Sequence, residues 1–112
     1  MELALGLFVI AAVGGLVMAA RVWSGAFPPW WLSVLHALLG AAGIVVLLLA
    51  LRGAGIVLGW WALAALVIAA LGGFFLASFH LRKQTHPRGV VVLHGGLAAL
   101  GVVLLIAALF QA

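Results

Sequence analysis

Two of the four histidines, His36 and His94, lie alone inside long apolar segments and are the side chains best suited to chemistry in this sequence. Each follows a Val-Leu pair, and each has a proline seven residues before it and a glycine seven residues after it. A neutral imidazole in an apolar environment can bind a metal ion, exchange a proton or hydrogen-bond to a carbonyl. Two imidazoles facing each other would supply one ligand to each side of a planar metal cofactor.

The composition leaves little else that could react. The 112 residues include no cysteine and one acidic residue, which excludes disulfides, thiolate metal sites and covalently attached haem. Hydrophobic residues make up 70% of the chain and charged residues 5%, whereas soluble domains have about 25% charged residues. A soluble globular fold and a disordered chain are therefore both excluded. We interpret the net charge of +4 as a signal for membrane orientation, not for nucleic-acid binding.

Charges and prolines divide the chain into four apolar stretches, at about residues 3–20, 30–51, 57–79 and 89–110. Each has roughly 18–23 residues, enough to cross a hydrocarbon core of about 30 Å as a helix. The first stretch lacks the basic start of a cleaved signal peptide, so we expect it to be retained. The short connections favour an up-down-up-down four-helix bundle. The sequence therefore predicts an all-α integral membrane protein with a single transmembrane domain over residues 1–112.

Basic residues are distributed unevenly between the two ends of the predicted bundle. The connections after the first and third helices contain Arg21, Arg82, Lys83 and Arg88, whereas the opposite side has only Arg52. The positive-inside rule predicts that the first side is cytoplasmic and that both termini lie outside the cytoplasm. Tryptophans near both boundaries fit the aromatic belts of membrane interfaces.

The chain also contains an internal repeat. With a shift of 58 residues, residues 1–54 align with residues 59–112 without a gap, and by direct count 21 of the 54 pairs are identical. This composition would give about 7 or 8 identities by chance. A proline, several glycines and a histidine match in the same register. Each unit is predicted to be a helical hairpin that crosses the membrane twice, which makes the repeat parallel.

The repeat places His36 and His94 at equivalent positions. Each lies seven residues after a proline, about 10 Å into its helix from the predicted cytoplasmic end. In a simple bundle the second and fourth helices are diagonal neighbours, so we expect the two imidazoles to meet on the bundle axis. Polar side chains inside a membrane tend to face the bundle interior and to mark functional sites.

Small residues follow each histidine along the same helix face. Four and seven residues onward lie Gly40 and Gly43 in the second helix, and Ala98 and Gly101 in the fourth. Their small side chains would leave room for the edge of a flat macrocycle. We therefore predict that these four residues line a haem b whose iron is bound by the two histidines.

Basic residues near the predicted cytoplasmic end of the bundle have two candidate roles. A haem carries two anionic propionates, and basic residues at the histidine end are candidates to bind them, although the same residues also orient the chain. These candidates are Arg21, Arg82, Lys83 and Arg88.

The first and third helices carry small residues at a spacing of four, which we assign to helix packing. These are Ala11, Gly15 and Ala19 in the first copy, and Ala69, Gly73 and Ala77 in the second.

The remaining histidines, His80 and His86, have no counterparts in the repeat, since Val22 and Pro28 occupy the equivalent positions. They fall at the end of the third helix and in the connection after it. We interpret them as interfacial histidines, although a propionate, a quinone head or a partner surface could also bind there. A second haem is not predicted, because it would need another facing pair.

These features together resemble the small b-type membrane cytochromes, which include cytochrome b561-like proteins and the cytochrome b anchor subunits of respiratory complexes. The resemblance rests on the paired Val-Leu-His segments, each with a glycine seven residues later. It implies a haem b held between histidines of neighbouring transmembrane helices, and electron transfer between quinones and protein partners. Only His36 and His94 match the axial-ligand role, and a single histidine pair departs from the two-haem arrangement of cytochrome b561.

Our leading hypothesis is a membrane b-type cytochrome with one haem b, which transfers electrons alone or as a subunit of a redox complex. The residue usage favours a bacterial inner membrane. The expected partners are the lipid bilayer, a redox protein or quinone, and further complex subunits or a second copy of the chain. A haem-free structural or assembly subunit is the alternative. A small transporter or channel is a third hypothesis, although no acidic or basic residue lies well inside any span.

Overall fold

The computed structural model describes residues 1–112 and is entirely helical. Its four helices are α1 (Glu2–Trp23), α2 (Trp30–Leu51), α3 (Val57–Leu81) and α4 (Arg88–Leu109). No strand is present. The predicted all-α fold is confirmed, and all four helices are long and apolar enough to cross a membrane.

Prolines and left-handed residues mark where the helices start and stop. Pro29 and Pro87 directly precede α2 and α4, where the missing N–H costs no helical hydrogen bond. Just beyond α1, Gly25 has a φ of 81°, and the equivalent residue beyond α3, Lys83, has a φ of 54°. A left-handed residue at this position closes a helix C-terminus. Because Arg21 is favourable in the last turn, α1 extends three residues past its predicted end.

Each helix packs against two others. α1 contacts α2 and α4, and α3 also contacts α2 and α4, whereas no backbone contact links α1 with α3 or α2 with α4. α2 and α4 therefore lie on opposite sides of the interior. The most extensive packing is within the two hairpins, α1 with α2 and α3 with α4.

The close-packed apolar core fills only one half of the bundle. It comprises buried residues near the chain termini and the α2–α3 turn: Ala4, Phe8, Leu47, Leu51, Ile56, Ala62, Leu63, Leu66, Leu105 and Ala108. Equivalent residues of the two repeats meet there, such as Leu47 and Leu105, neither of which has any exposed surface. The other half of the bundle, next to the 24–29 and 82–87 connections, contains all four histidines.

The outer surface of the bundle is apolar. Only 21 of the 112 residues are buried, and large hydrophobic side chains are exposed on all four helices. The most apolar 18-residue window of each helix has a mean hydropathy between 2.3 and 2.6. Because this much apolar surface is stable in lipid and not in water, the chain is a multi-pass membrane protein.

Candidate functional site: a histidine pair inside the bundle

The two predicted ligand histidines face each other inside the bundle. His36 on α2 and His94 on α4 are both partly buried, and their ring centroids lie 5.9 Å apart with the ring planes inclined at 73°. The backbones of α2 and α4 are not in contact, so the two histidine side chains span the interior between these helices. The structure thus brings together the two residues that the repeat places at equal depth.

Each imidazole is held by a backbone carbonyl of the other helix in its hairpin. His36 Nδ1 lies 2.8 Å from the carbonyl oxygen of Ala11, and His94 Nδ1 lies 2.7 Å from that of Ala69. A carbonyl oxygen can only accept, so both Nδ1 atoms carry a proton and donate it. In the neutral ring the lone pair is then on Nε2, which is the form that binds a metal ion.

Two glycines make room for these rings. An added Cβ at Gly15 would lie 3.1 Å from His36 Cε1, and one at Gly73 would lie 3.1 Å from His94 Cε1. Each glycine lies one helical turn after the alanine whose carbonyl accepts the hydrogen bond. The alanine and the glycine together form what we call the imidazole seat of each hairpin. The small-residue stripes predicted for helix packing therefore also position the histidines.

Gly43 and Gly101, two of the four residues predicted to line a cofactor, pack against apolar side chains. Both are buried, and an added Cβ would lie 2.7 Å from the Phe8 ring and 2.6 Å from the Leu66 side chain, respectively. Phe8 and Leu66 are themselves equivalent in the repeat. Side chains of the apolar core therefore fill the interior next to these two glycines.

Gly40 and Ala98, the other two residues predicted to line a cofactor, lie one turn nearer to the histidines. Both are partly buried. An added Cβ at Gly40 would have no other atom within 4 Å. In contrast, Gly95 and Gly96, the two glycines next to His94 in sequence, are exposed on the outer surface.

The four basic residues predicted to bind propionates are exposed at the histidine end of the bundle. Arg21 donates to a carbonyl in the α1–α2 connection, Arg82 to a carbonyl one turn earlier in α3, and Arg88 to the carbonyl of the last residue of α1. Lys83 lies just beyond the end of α3. These hydrogen bonds hold Arg21 to the α1–α2 connection, Arg82 to α3 and Arg88 to the end of α1, and none of them extends to the histidine pair.

A second group of polar and aromatic side chains surrounds His80 and His86. Both are buried, with 7% and 8% of their surfaces exposed, and their ring centroids lie 5.6 Å apart. Trp30 stacks on His80 at 3.7 Å, and Phe27 lies 6.2 Å from His80 and 6.1 Å from His86. Ser33 Oγ lies 3.4 Å from His80 Nδ1. We call these five residues the loop-end cluster, which joins the first hairpin to the second.

No pattern in the sequence predicted the loop-end cluster. His80 and His86 have no counterparts in the repeat, and they meet only because the chain turns between α3 and α4. Burial lowers the pKa of His86 below its ordinary value, and the neighbouring His80 lowers it further. The only signal in the sequence was the presence of two histidines six residues apart at the end of an apolar segment.

Fold and site together define a four-helix membrane protein with a histidine pair in its interior. Comparisons with protein-family models, curated proteins and solved structures give no match for this chain. The function is therefore inferred from the geometry of the site.

Proposed function

We propose that this protein is a membrane b-type cytochrome that binds one haem b between His36 and His94 and transfers electrons. The observation that carries the proposal is the facing imidazole pair, in which each Nδ1 is hydrogen-bonded to a backbone carbonyl oxygen. When bound, the haem supplies a reversible one-electron couple. Ligands on both sides would leave the iron no open position, which favours electron transfer over oxygen chemistry.

The spacing of the two rings supports this proposal. With metal–nitrogen bonds of about 2.0–2.1 Å, as in zinc sites, two opposed imidazole nitrogens would be about 4 Å apart and the ring centres about 6 to 6.5 Å apart. The observed separation of 5.9 Å is close to that range. Ligand type, tautomer and ring spacing therefore all fit a metal bound from two sides.

The residues around the pair would orient the ligands and limit where a macrocycle can extend. Hydrogen bonds from Nδ1 to a carbonyl fix the ring orientation and leave Nε2 as the atom that would bind the metal. Phe8 and Leu66 fill the interior on the side of the chain termini, so residues on the side of the connections would have to accommodate the macrocycle. The propionates would then lie at the end that carries Arg21, Arg82, Lys83 and Arg88, whose positive charge favours them.

The same basic residues support a particular location and orientation. Four of the five lysines and arginines lie at the histidine end, which we place in the cytoplasm, with both termini on the outer side of a bacterial inner membrane. The connections between the helices are short, which favours a role beside larger redox proteins. We propose a protein or a membrane quinone as the electron partner, and membership of a larger complex.

Spectroscopy of the purified chain tests the proposal directly. A reduced-minus-oxidised spectrum should show a low-spin haem b, at about one haem per chain by pyridine haemochrome. His36→Ala and His94→Ala should each lower the haem content at least about tenfold, because loss of an outer-shell partner alone typically costs about 10–100-fold in metal affinity. His86→Ala is the control and should retain the spectrum. An unchanged reduced spectrum in both paired-histidine variants would overturn the proposal.

A haem-free scaffold subunit is the second candidate, and one observation favours it. The hydrogen bonds to Ala11 and Ala69 satisfy one nitrogen of each imidazole without any cofactor and tie the two helices of each hairpin together. In that case the histidines are interhelical hydrogen-bond donors only. A purified chain that is folded, monodisperse and free of haem after expression with excess haem would support this candidate and contradict the first.

A further inference from the structure

An apolar groove runs along the outside of the first hairpin, between α1 and α2. It has a volume of about 460 Å³, with Val13, Val17 and Leu35 among its walls and Arg21 at the end nearest the connection. From Arg21 to Ile10 the groove follows α1 for about 16 Å, roughly half of a hydrocarbon core of about 30 Å. A groove of this length matches the tail of a lipid that belongs to one leaflet.

The arginine at the mouth of this groove has no carboxylate partner. Arg21 is exposed, and its two hydrogen bonds to the Phe27 carbonyl are long, at 3.4 Å each. The only acidic residue of the chain, Glu2, lies at the opposite end of α1. Most of the five N–H donors of the guanidinium are therefore available at the level of the lipid headgroups. A phosphate is the group that complements them.

The internal repeat provides a comparison within the same chain. In the second hairpin, Phe75 stands at the position of Val17, and Phe79 stands at the position of Arg21. The two phenylalanine rings pack against each other with centroids 5.2 Å apart. One hairpin thus has a groove with a cation at its mouth, whereas the other places two aromatic rings at the equivalent positions.

We infer that the α1–α2 groove binds one acyl chain of an anionic phospholipid, with Arg21 holding the phosphate. The apolar walls would accept the acyl chain of any phospholipid. The unpaired guanidinium favours an anionic lipid, because a zwitterionic headgroup gains less electrostatic attraction from it. His36 and Ala11 also line this groove. The inference does not require haem, because the contacts it invokes are those of the lipid with the apolar walls and with Arg21.

Native mass spectrometry of the purified chain, in micelles containing equal amounts of phosphatidylglycerol and phosphatidylcholine, tests this inference. The complex with one phosphatidylglycerol should be about fivefold more abundant than the complex with one phosphatidylcholine, the preference expected from one arginine near the surface. Arg21→Gln should make the two abundances nearly equal. Val17→Phe, which copies the second hairpin, should lower both complexes, because the added ring occupies the groove.

Two matched variants control for general effects of charge and bulk. Arg82→Gln removes an exposed cation at the same end but outside the groove, and should keep the preference. Val103→Phe enlarges an exposed valine on α4, and should keep both complexes. Equal abundance of the two lipids in the parent chain would overturn the inference. So would an equal loss of preference in Arg21→Gln and Arg82→Gln, or no effect of Val17→Phe.

Discussion

The imidazole rings of His36 and His94 occupy space that only a glycine on the neighbouring helix leaves open. An added Cβ at Gly15 or Gly73 would already lie 3.1 Å from the ring, closer than most Cβ atoms approach a neighbour. A larger side chain would push the imidazole away from the carbonyl that orients it. The site therefore depends on residues without functional groups as much as on the histidines themselves.

We expect Gly73→Leu to displace the His94 ring and break its hydrogen bond to Ala69. Overpacking of this kind should destabilise the chain by about 1–3 kcal/mol. Unfolding by sodium dodecyl sulfate in mixed micelles measures this change, and the haem content of the same samples reports on the ligand. Gly96→Leu is the control, because Gly96 is exposed and an added Cβ there meets no other atom. Equal stability of the two variants would show that Gly73 is not part of a seat.

At this scale the sequence predicted the histidine pair but not the rest of its surroundings. The equal depth of the two histidines followed from the repeat, because equivalent residues of the two copies lie at the same position along their helices. The carbonyl partners carry no sequence signal, since every residue has a carbonyl oxygen. The packing of Gly43 on Phe8 depends on how far two helices rotate about their axes, and a sequence pattern does not define that rotation.

At the scale of the helices, the two equivalent C-terminal turns place different residues in the same left-handed conformation. Gly25 follows α1 with a φ of 81°, and Lys83 follows α3 with a φ of 54°. The Ala26 and Gln84 amides donate to equivalent carbonyls, both at 2.9 Å. The left-handed conformation raises the energy of a residue with a Cβ by roughly 1–2 kcal/mol, whereas glycine adopts it without this cost.

The two hairpins should therefore respond in opposite directions to exchanged residues. Lys83→Gly should stabilise the chain by up to about 1 kcal/mol, and Gly25→Lys should destabilise it by about 1–2 kcal/mol. The midpoint of thermal unfolding in detergent measures both effects. Lys83→Ala separates backbone strain from the loss of the lysine charge, since it removes the charge but keeps the Cβ. If Lys83→Ala stabilises as much as Lys83→Gly, the backbone explanation is incorrect.

The helices themselves were largely predictable from the sequence. Prolines before α2 and α4, together with the apolar stretches, place every helix end within three residues of its observed position. The end of α1 is less predictable, because a charged residue such as Arg21 is tolerated inside the last helical turn. A charged residue therefore does not by itself mark the end of a membrane helix.

In the molecule as a whole, different kinds of contact hold the two hairpins together at the two ends of the bundle. Near the chain termini, equivalent residues of both repeats interlock in a continuous apolar core. At the histidine end, the loop-end cluster joins the hairpins with residues that the repeat does not share, Phe27 and Trp30 from the first and His80 and His86 from the second. The cluster therefore breaks the twofold symmetry of the fold where the connections meet.

This cluster should make the stability of the whole chain sensitive to pH. The pKa of His86 in the folded chain is below its ordinary value of 6.5, because the ring is buried and faces His80. The unfolded chain therefore binds a proton at a higher pH than the folded chain does. By linkage, the contribution of neutral His86 to stability is complete above about pH 6.5 and decreases as the pH falls toward the folded-state pKa.

We expect the unfolding midpoint in detergent to fall between pH 7 and pH 5, and the fall to be smaller in His86→Gln, which cannot take up a proton there. Thermal unfolding followed by circular dichroism across this range provides the measurement. Lys83→Gln is the control, because it changes a side chain of the same connection and leaves both imidazoles in place, and it should keep the pH dependence of the parent. A pH dependence that His86→Gln leaves unchanged would mean that protonation of His86 is not coupled to folding.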